Sequence, residues 1–199
     1  VYTRESLERL VDLAVHHNFY IISDEVYEKL VYGDAKHVCI SSLSKEAYEH
    51  TIVINGMSKA FAMTGWRIGY SAAPADIAHG LKDIQGHTTS NGVTFIQWAA
   101  ITALENCDDD VAYMVEEYKK RRDYTFNRLT AMRGITCKNV DGAFYLLPDV
   151  SYYYGRTVNG KEIKDSFDFC SYILDEAHVA IVPGAAFNAP EGVRVAYTN

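Results

Sequence analysis

The chain has 199 residues, 48% apolar and 23% charged, the composition of an ordinary globular protein with room for one sizeable core or a small domain plus part of another. Its formal net charge of −7, with both signs interspersed, speaks against a nucleic-acid-binding face, and no apolar run is long enough to span a bilayer. The cysteines Cys39, Cys107, Cys137 and Cys170 form no CxxC pair, and His16 and His17, adjacent on a helix, point apart. Neither a disulfide framework nor a metal site is therefore expected, and a reducing, cytoplasmic location is.

Thr3 is a plausible N-cap, followed by Leu7, Leu10, Val11, Ala14 and Val15 at helical spacing. The run Phe19–Ser23 reads as a strand buried on both faces that finishes at Asp24-Glu25. A second such run, Thr51–Ile54, finishes at Asn55-Gly56, and a third, Ile68–Ala72, is stopped by Pro74. Helical patterns separate or follow these runs, so residues 1–108 read as part of an α/β layer domain. A long helix follows from about Asp109 to Met132, its acidic start at Asp108–Asp110 solvated and its end closed by Gly134. Helices of this length often bridge two domains. Short strands are then expected at Ile135–Lys138, Ala143–Leu147, Val179–Val182 and Val193–Ala196, with a helix over Ser166–Ala177, so residues 109–199 read as the bridging helix and a smaller α+β domain.

Two clusters could carry chemistry. Asp24 stands where a buried strand ends, and ligands of open α/β sheets bind beyond the carboxyl ends of strands. Tyr27 follows close enough to face the same ligand. Taken alone, Asp24 as a turn cap and Tyr27 as a packing residue is the commoner outcome. The second cluster is Asn55–Tyr70. Here a strand delivers Lys59 into apolar surroundings, where burial disfavours the ammonium form and can turn a lysine into a nucleophile or base. Arg67 follows, with a planar fork that suits a phosphate. An exposed turn lysine and a surface arginine are the alternatives for either residue alone.

The combination is more specific. Ser-Lys-Ala-Phe-Ala-Met-Thr-Gly-Trp-Arg-Ile-Gly-Tyr (58–70), preceded by Ser-Asp-Glu-Val-Tyr (23–27), resembles the fold-type I, class I/II aminotransferases, the aspartate aminotransferase family. The resemblance continues through Asp141–Tyr145, Val182–Phe187 and Val193–Tyr197, and so covers the chain. It implies the C-terminal part of a pyridoxal 5'-phosphate-dependent large domain, a mostly parallel sheet with helices, followed by a small α+β domain. It implies that Lys59 is the Schiff-base lysine and proton shuttle, that Asp24 pairs with the cofactor's pyridine nitrogen, and that Tyr27 donates to its phenolate oxygen. Arg67 would bind the phosphate, and Arg194 would clamp the substrate carboxylate through a bidentate pair.

The resemblance also departs in places. Gly56 stands where the family often has a phosphate-binding serine, and Asn188 where glycine is common. The phosphate loop, stacking aromatic ring and asparagine that family members carry in a further N-terminal region have no counterpart here. The chain is accordingly expected to be a C-terminal portion that binds cofactor poorly alone, does not transaminate alone, and pairs with another chain or with itself. The parent is expected to be a homodimer acting on an amino acid and a 2-oxo acid, aspartate foremost. A carbon–sulfur lyase on the same scaffold and a non-catalytic aminotransferase-like module are the alternatives.

Overall fold

A computed structural model describes residues 1–198, which divide into two compact units, the first spanning 1–115 and the second beginning at Glu116. The first unit opens with α1 (Arg4–His17). Thr3 caps it, accepting from the Ser6 amide, and Asn18 ends it in the left-handed conformation. The chain then enters β1 (Ile21–Asp24), passes through α2 (Lys45–Glu49) and returns in β2 (Thr51–Gly56), parallel to β1 in the register Ile21 to Thr51 and Asp24 to Ile54. β3 (Gly69–Ala72) pairs antiparallel with β2, Gly56 opposite Gly69, so the sheet order is β1-β2-β3. Leu7, Val11 and Ala14 of α1 bury their shared stripe against Ile21, Ile40 and Ala47, which forms the main core of this unit.

Two helices follow, α3 (Ala75–Thr88) and α4 (Thr94–Asn106). Ala100 and Ala103 of α4 pack against Met57 and Met63, so the loop that carries Lys59 rests on small side chains that let it approach closely. α5 (Asp108–Thr130) begins with three aspartates in its first turn, where acidic side chains complement the helix dipole.

In the second unit, β4 (Tyr145–Leu146), β7 (Val182–Pro183) and β8 (Val193–Ala196) form an antiparallel sheet in the order β4-β8-β7. Between β4 and β7 lie a hairpin, β5 (Arg156–Val158) and β6 (Lys161–Ile163), and α6 (Ser166–Ala177). Asp165 caps α6, accepting from the Phe167 and Asp168 amides at 2.8 and 3.0 Å. Val150, Cys170 and Val193 anchor the core, joined by Ile135, Phe169 and Val195.

Several expectations need correction. The first sheet holds one parallel and one antiparallel pairing, and it is not mostly parallel. β1 is covered on one face only: Ile21 is 9% exposed and Ile22 72%. A continuous apolar run does not reveal how many faces have a neighbour. Ile135–Lys138 is not a strand; it makes a single bridge, Thr136 to Asp149, because the chain turns into a 3-10 segment at Ser151–Tyr153 before a ladder can extend. The hairpin went unforeseen, although its turn is Asn159-Gly160, both at positive φ, the residue pair such turns favour. Gly134 does not cap α5, which stops at Thr130; it sits at φ +77° in the following turn, where a side chain would meet the Tyr152 ring.

Candidate functional site

Parallel pairing puts the carboxyl ends of β1 and β2 at the same end of the sheet. β3 runs the opposite way, so the loop 57–68 that joins β2 to β3 leaves and re-enters there too. Asp24, Tyr27, Lys59 and Arg67 are thereby gathered at one end of the first sheet. This is the placement at which an open α/β sheet binds ligands.

Lys59 is half-buried, and its Nζ lies 6.0 Å from the centre of the Tyr27 ring. Asp24 is exposed; its Oδ1 accepts from the Val26 amide at 3.2 Å, so it does cap the turn, with its other oxygen open to a ligand. The capping reading of Asp24 is therefore observed, and its exposure leaves it accessible to a ligand. Arg67 is exposed, in the left-handed conformation at φ 54°, and donates from Nη1 to the Thr64 carbonyl at 3.0 Å. Thr64 Oγ1 in turn donates to the Ser58 carbonyl at 2.9 Å, which ties the arginine to the residue before Lys59. No other hydrogen-bond or ion-pair partner of the Arg67 guanidinium occurs among the described residues, so four of its five N–H donors remain available.

Gly56 has a structural reason. A Cβ there would lie 3.1 Å from both Gly69 Cα and the Ile68 carbonyl oxygen, because the two strands approach closely at this pair. A serine at Gly56 would need the β2–β3 junction to yield.

Sequence reasoning missed Glu25, although it lies inside the first motif. Its side chain is 3% exposed. Oε1 accepts from Ser23 Oγ at 3.0 Å and from the Ile40 amide at 3.3 Å, and His37 Nε2 lies 2.8 Å from Oε2. The Glu25 amide donates to the Ile54 carbonyl at 2.8 Å. Glu25 therefore fixes the turn between Asp24 and Tyr27 and docks the loop 33–40 beneath it. Glu28 also comes within 4.8 Å of this pair, but Glu25 is satisfied by protein donors without a cation. Glu25→Ala strips a buried acceptor from three donors and is expected to cost about 3 kcal/mol in urea unfolding. A loss below about 1 kcal/mol would mean that the network contributes little.

All four cysteines are free, and burial pushes the Cys39, Cys137 and Cys170 thiols up, away from the reactive thiolate.

Arg194 belongs to the second unit. It lies on β8, half-buried, with its Cζ 4.7 Å from the Tyr145 ring centre and 4.5 Å from that of Phe187. Among the described residues its guanidinium has these two aromatic contacts and no hydrogen-bond or ion-pair partner. Phe187 and Tyr145 were not singled out from the sequence, although both stand inside the motifs that were.

The family model for aminotransferase class I and II matches residues 1–199. An aspartate aminotransferase of Bacillus sp. (strain YM-2) is 45% identical over 99% of this chain and 49% of its own length. The structure of the aspartate aminotransferase from Rhizobium meliloti superposes with a TM-score of 0.95 at 34% identity, over 100% of this chain and 50% of that one. An aromatic aminotransferase from Pyrococcus horikoshii OT3 does so with a TM-score of 0.91 at 40% identity, over 100% and 52%. The chain thus spans about half the length of the relatives it matches.

Proposed function

Because the chain belongs to the class I and II aminotransferases, we propose that it forms part of an enzyme that moves an amino group from an amino acid to a 2-oxo acid with pyridoxal 5'-phosphate held at Lys59. The observation that carries this reading is the gathering of Lys59, Tyr27, Asp24 and Arg67 at the carboxyl end of β1 and β2. The donor set fits the cofactor group by group: an amine for its aldehyde, a phenol for its phenolate oxygen, a carboxylate for its pyridinium nitrogen, and a guanidinium with open N–H donors for its phosphate. When bound, the cofactor supplies an electron sink for charge at the substrate α-carbon.

The chain's own residues divide the remaining work. Asp24 would pair with the ring nitrogen through the carboxylate oxygen that its cap bond leaves free. Lys59 would take the proton from the substrate α-carbon and hold it at Nζ. Arg194 binds the substrate carboxylate, the planar fork supplying two parallel bonds.

Aspartate with 2-oxoglutarate is the substrate pair we assign, supported by the names of the Bacillus and Rhizobium relatives; the Pyrococcus relative's name makes an aromatic amino acid the second choice. The parent acts as a homodimer, and the 199-residue chain does not turn over by itself. The exposed apolar side chains of the first unit support this: Ile22 is 72% exposed, and Phe95 and Trp98 on α4 are 67%. A cytoplasmic setting is part of the same reading, supported by four unpaired cysteines. No helix among the described residues is long and apolar enough to cross a membrane.

Borohydride reduction in the presence of pyridoxal 5'-phosphate, followed by peptide mass mapping, tests the central assignment. The adduct is expected on Lys59. An adduct confined to any other lysine would overturn it.

A further inference from the structure

Arg194 is a half-buried cation without a protein anion among the described residues, and two aromatic rings stand on it instead. The backbone explains how both rings arrive. β8 is the central strand of its sheet, with β4 on one side and β7 on the other. Tyr145 pairs with Ala196, which makes it the diagonal neighbour of Arg194 on one face, within reach of a long side chain. From the other side, Val182 pairs with Arg194, and the chain leaves β7 through Pro183 into a 3-10 turn, Gly184–Phe187. Asn188 closes that turn in the left-handed conformation, with its amide bonded back to Ala185. Phe187 ends the turn and returns over the guanidinium at 4.5 Å. Three separate stretches of chain, 141–145, 182–187 and 193–197, thus meet on one side chain.

We propose that Tyr145 and Phe187 are positioning residues that hold the Arg194 guanidinium by its faces and leave its N–H edge for a carboxylate. The inference rests on the reading of Arg194 as the carboxylate-binding residue. Ring faces attract a guanidinium but accept none of its in-plane N–H bonds strongly, so stacking leaves the fork unused. The rings also remove water from the cation and restrict its rotamers. An incoming carboxylate then forms its bidentate pair in a less polar setting, with less side-chain entropy left to lose. Loss of either ring is expected to weaken carboxylate binding about fivefold, the equivalent of one cation–π contact.

The test uses the 15N-labelled 199-residue chain, with succinate as the probe and chloride as the ionic-strength control. The Arg194 Nε–Hε resonance is identified as the one lost in Arg194→Lys. It is expected upfield of the other arginines, shifted by the ring currents, and it should move with succinate beyond the chloride control. Phe187→Leu and Tyr145→Leu should each return it downfield and raise the succinate half-saturation about fivefold. Phe187→Tyr and Tyr145→Phe keep a ring and should restore both values, which a role of the Tyr145 hydroxyl would not allow. If the leucine variants bind succinate as the parent chain does, the positioning role is overturned while the carboxylate reading stands. If the parent resonance ignores succinate, the carboxylate reading falls and this inference with it. Should the leucine variants fail to fold, the parent spectrum still decides, since an Arg194 Hε without a ring-current shift overturns the contact.

Discussion

Lys59→Ala is expected to remove the borohydride-trapped cofactor adduct completely while leaving the chain folded. The two halves of this expectation have different causes. Lys59 is half-buried near the start of the loop after β2, and the packing that holds this loop comes from its neighbours Met57, Ala60 and Met63, which are 1%, 4% and 8% exposed. Truncating Lys59 leaves that packing in place, so the chain should keep its fold. The chemistry, in contrast, depends on one primary amine at one position, with no second lysine assigned to the site. Lys29→Ala is the informative control: that amine faces Phe61 at 5.5 Å and Asp108 at 2.8 Å, and its removal should leave the adduct intact. An unchanged adduct in Lys59→Ala would sink the assignment, and a large loss of stability would show that the lysine is structural.

The second large effect is expected at Gly184. The conformation is not the difficulty, since Gly184 does not need a positive φ; the space is. Its amide donates to the Gly192 carbonyl at 2.8 Å, and its carbonyl accepts from the Ala189 amide at 3.0 Å. A Cβ would fall inside the contact shells of the Ala189 and Gly192 carbonyl oxygens and 2.8 Å from the Gly192 carbonyl carbon. These neighbours are backbone on both sides, so no rotamer change relieves them. Gly184→Ala is therefore expected to cost about 3 kcal/mol or more, at or beyond the usual upper end of overpacking. It should also displace Phe187 from Arg194. Gly80, inside α3 with nothing within 4 Å, gives the opposite sign: alanine there should stabilise by roughly 0.5–1 kcal/mol. A Gly184→Ala chain within about 1 kcal/mol of the parent in urea unfolding would mean that the 184–192 loop yields more readily than its backbone contacts suggest.

Much of the secondary structure was legible because its signals are local. Thr3 caps α1, and the spacing of Leu7, Val11 and Ala14 marks the stripe that the helix buries. α6 occupies Ser166–Ala177 as its pattern indicates, starting from an aspartate whose carboxylate reaches two amides of the first turn. The missed β5–β6 hairpin belongs to the same class. Its Asn159-Gly160 turn is a local signal, and it was passed over because the strands beside it, Arg156–Val158 and Lys161–Ile163, carry too few apolar residues to alternate visibly.

The candidate site was legible as a set of residues and not as an arrangement. Asp24, Tyr27, Lys59, Arg67 and Arg194 were identifiable from residue type, position after a strand, and resemblance. Only the pairing of β1 with β2 and the antiparallel return of β3 bring four of them to one end of a sheet. Glu25 was hidden because its role depends on distant partners, His37 and the Ile40 amide, which no spacing rule connects.

The sequence by itself determined the Thr3 cap and buried stripe of α1, the extent of α6, and the family, since each depends on residue type and near-neighbour spacing; the chemistry-bearing groups it proposes come from the same signals. The tertiary structure decided which faces are covered, where Glu25 is bound, and which rings stand on Arg194. Those outcomes depend on contacts between segments far apart in the chain, and such contacts leave no periodic trace in any one segment.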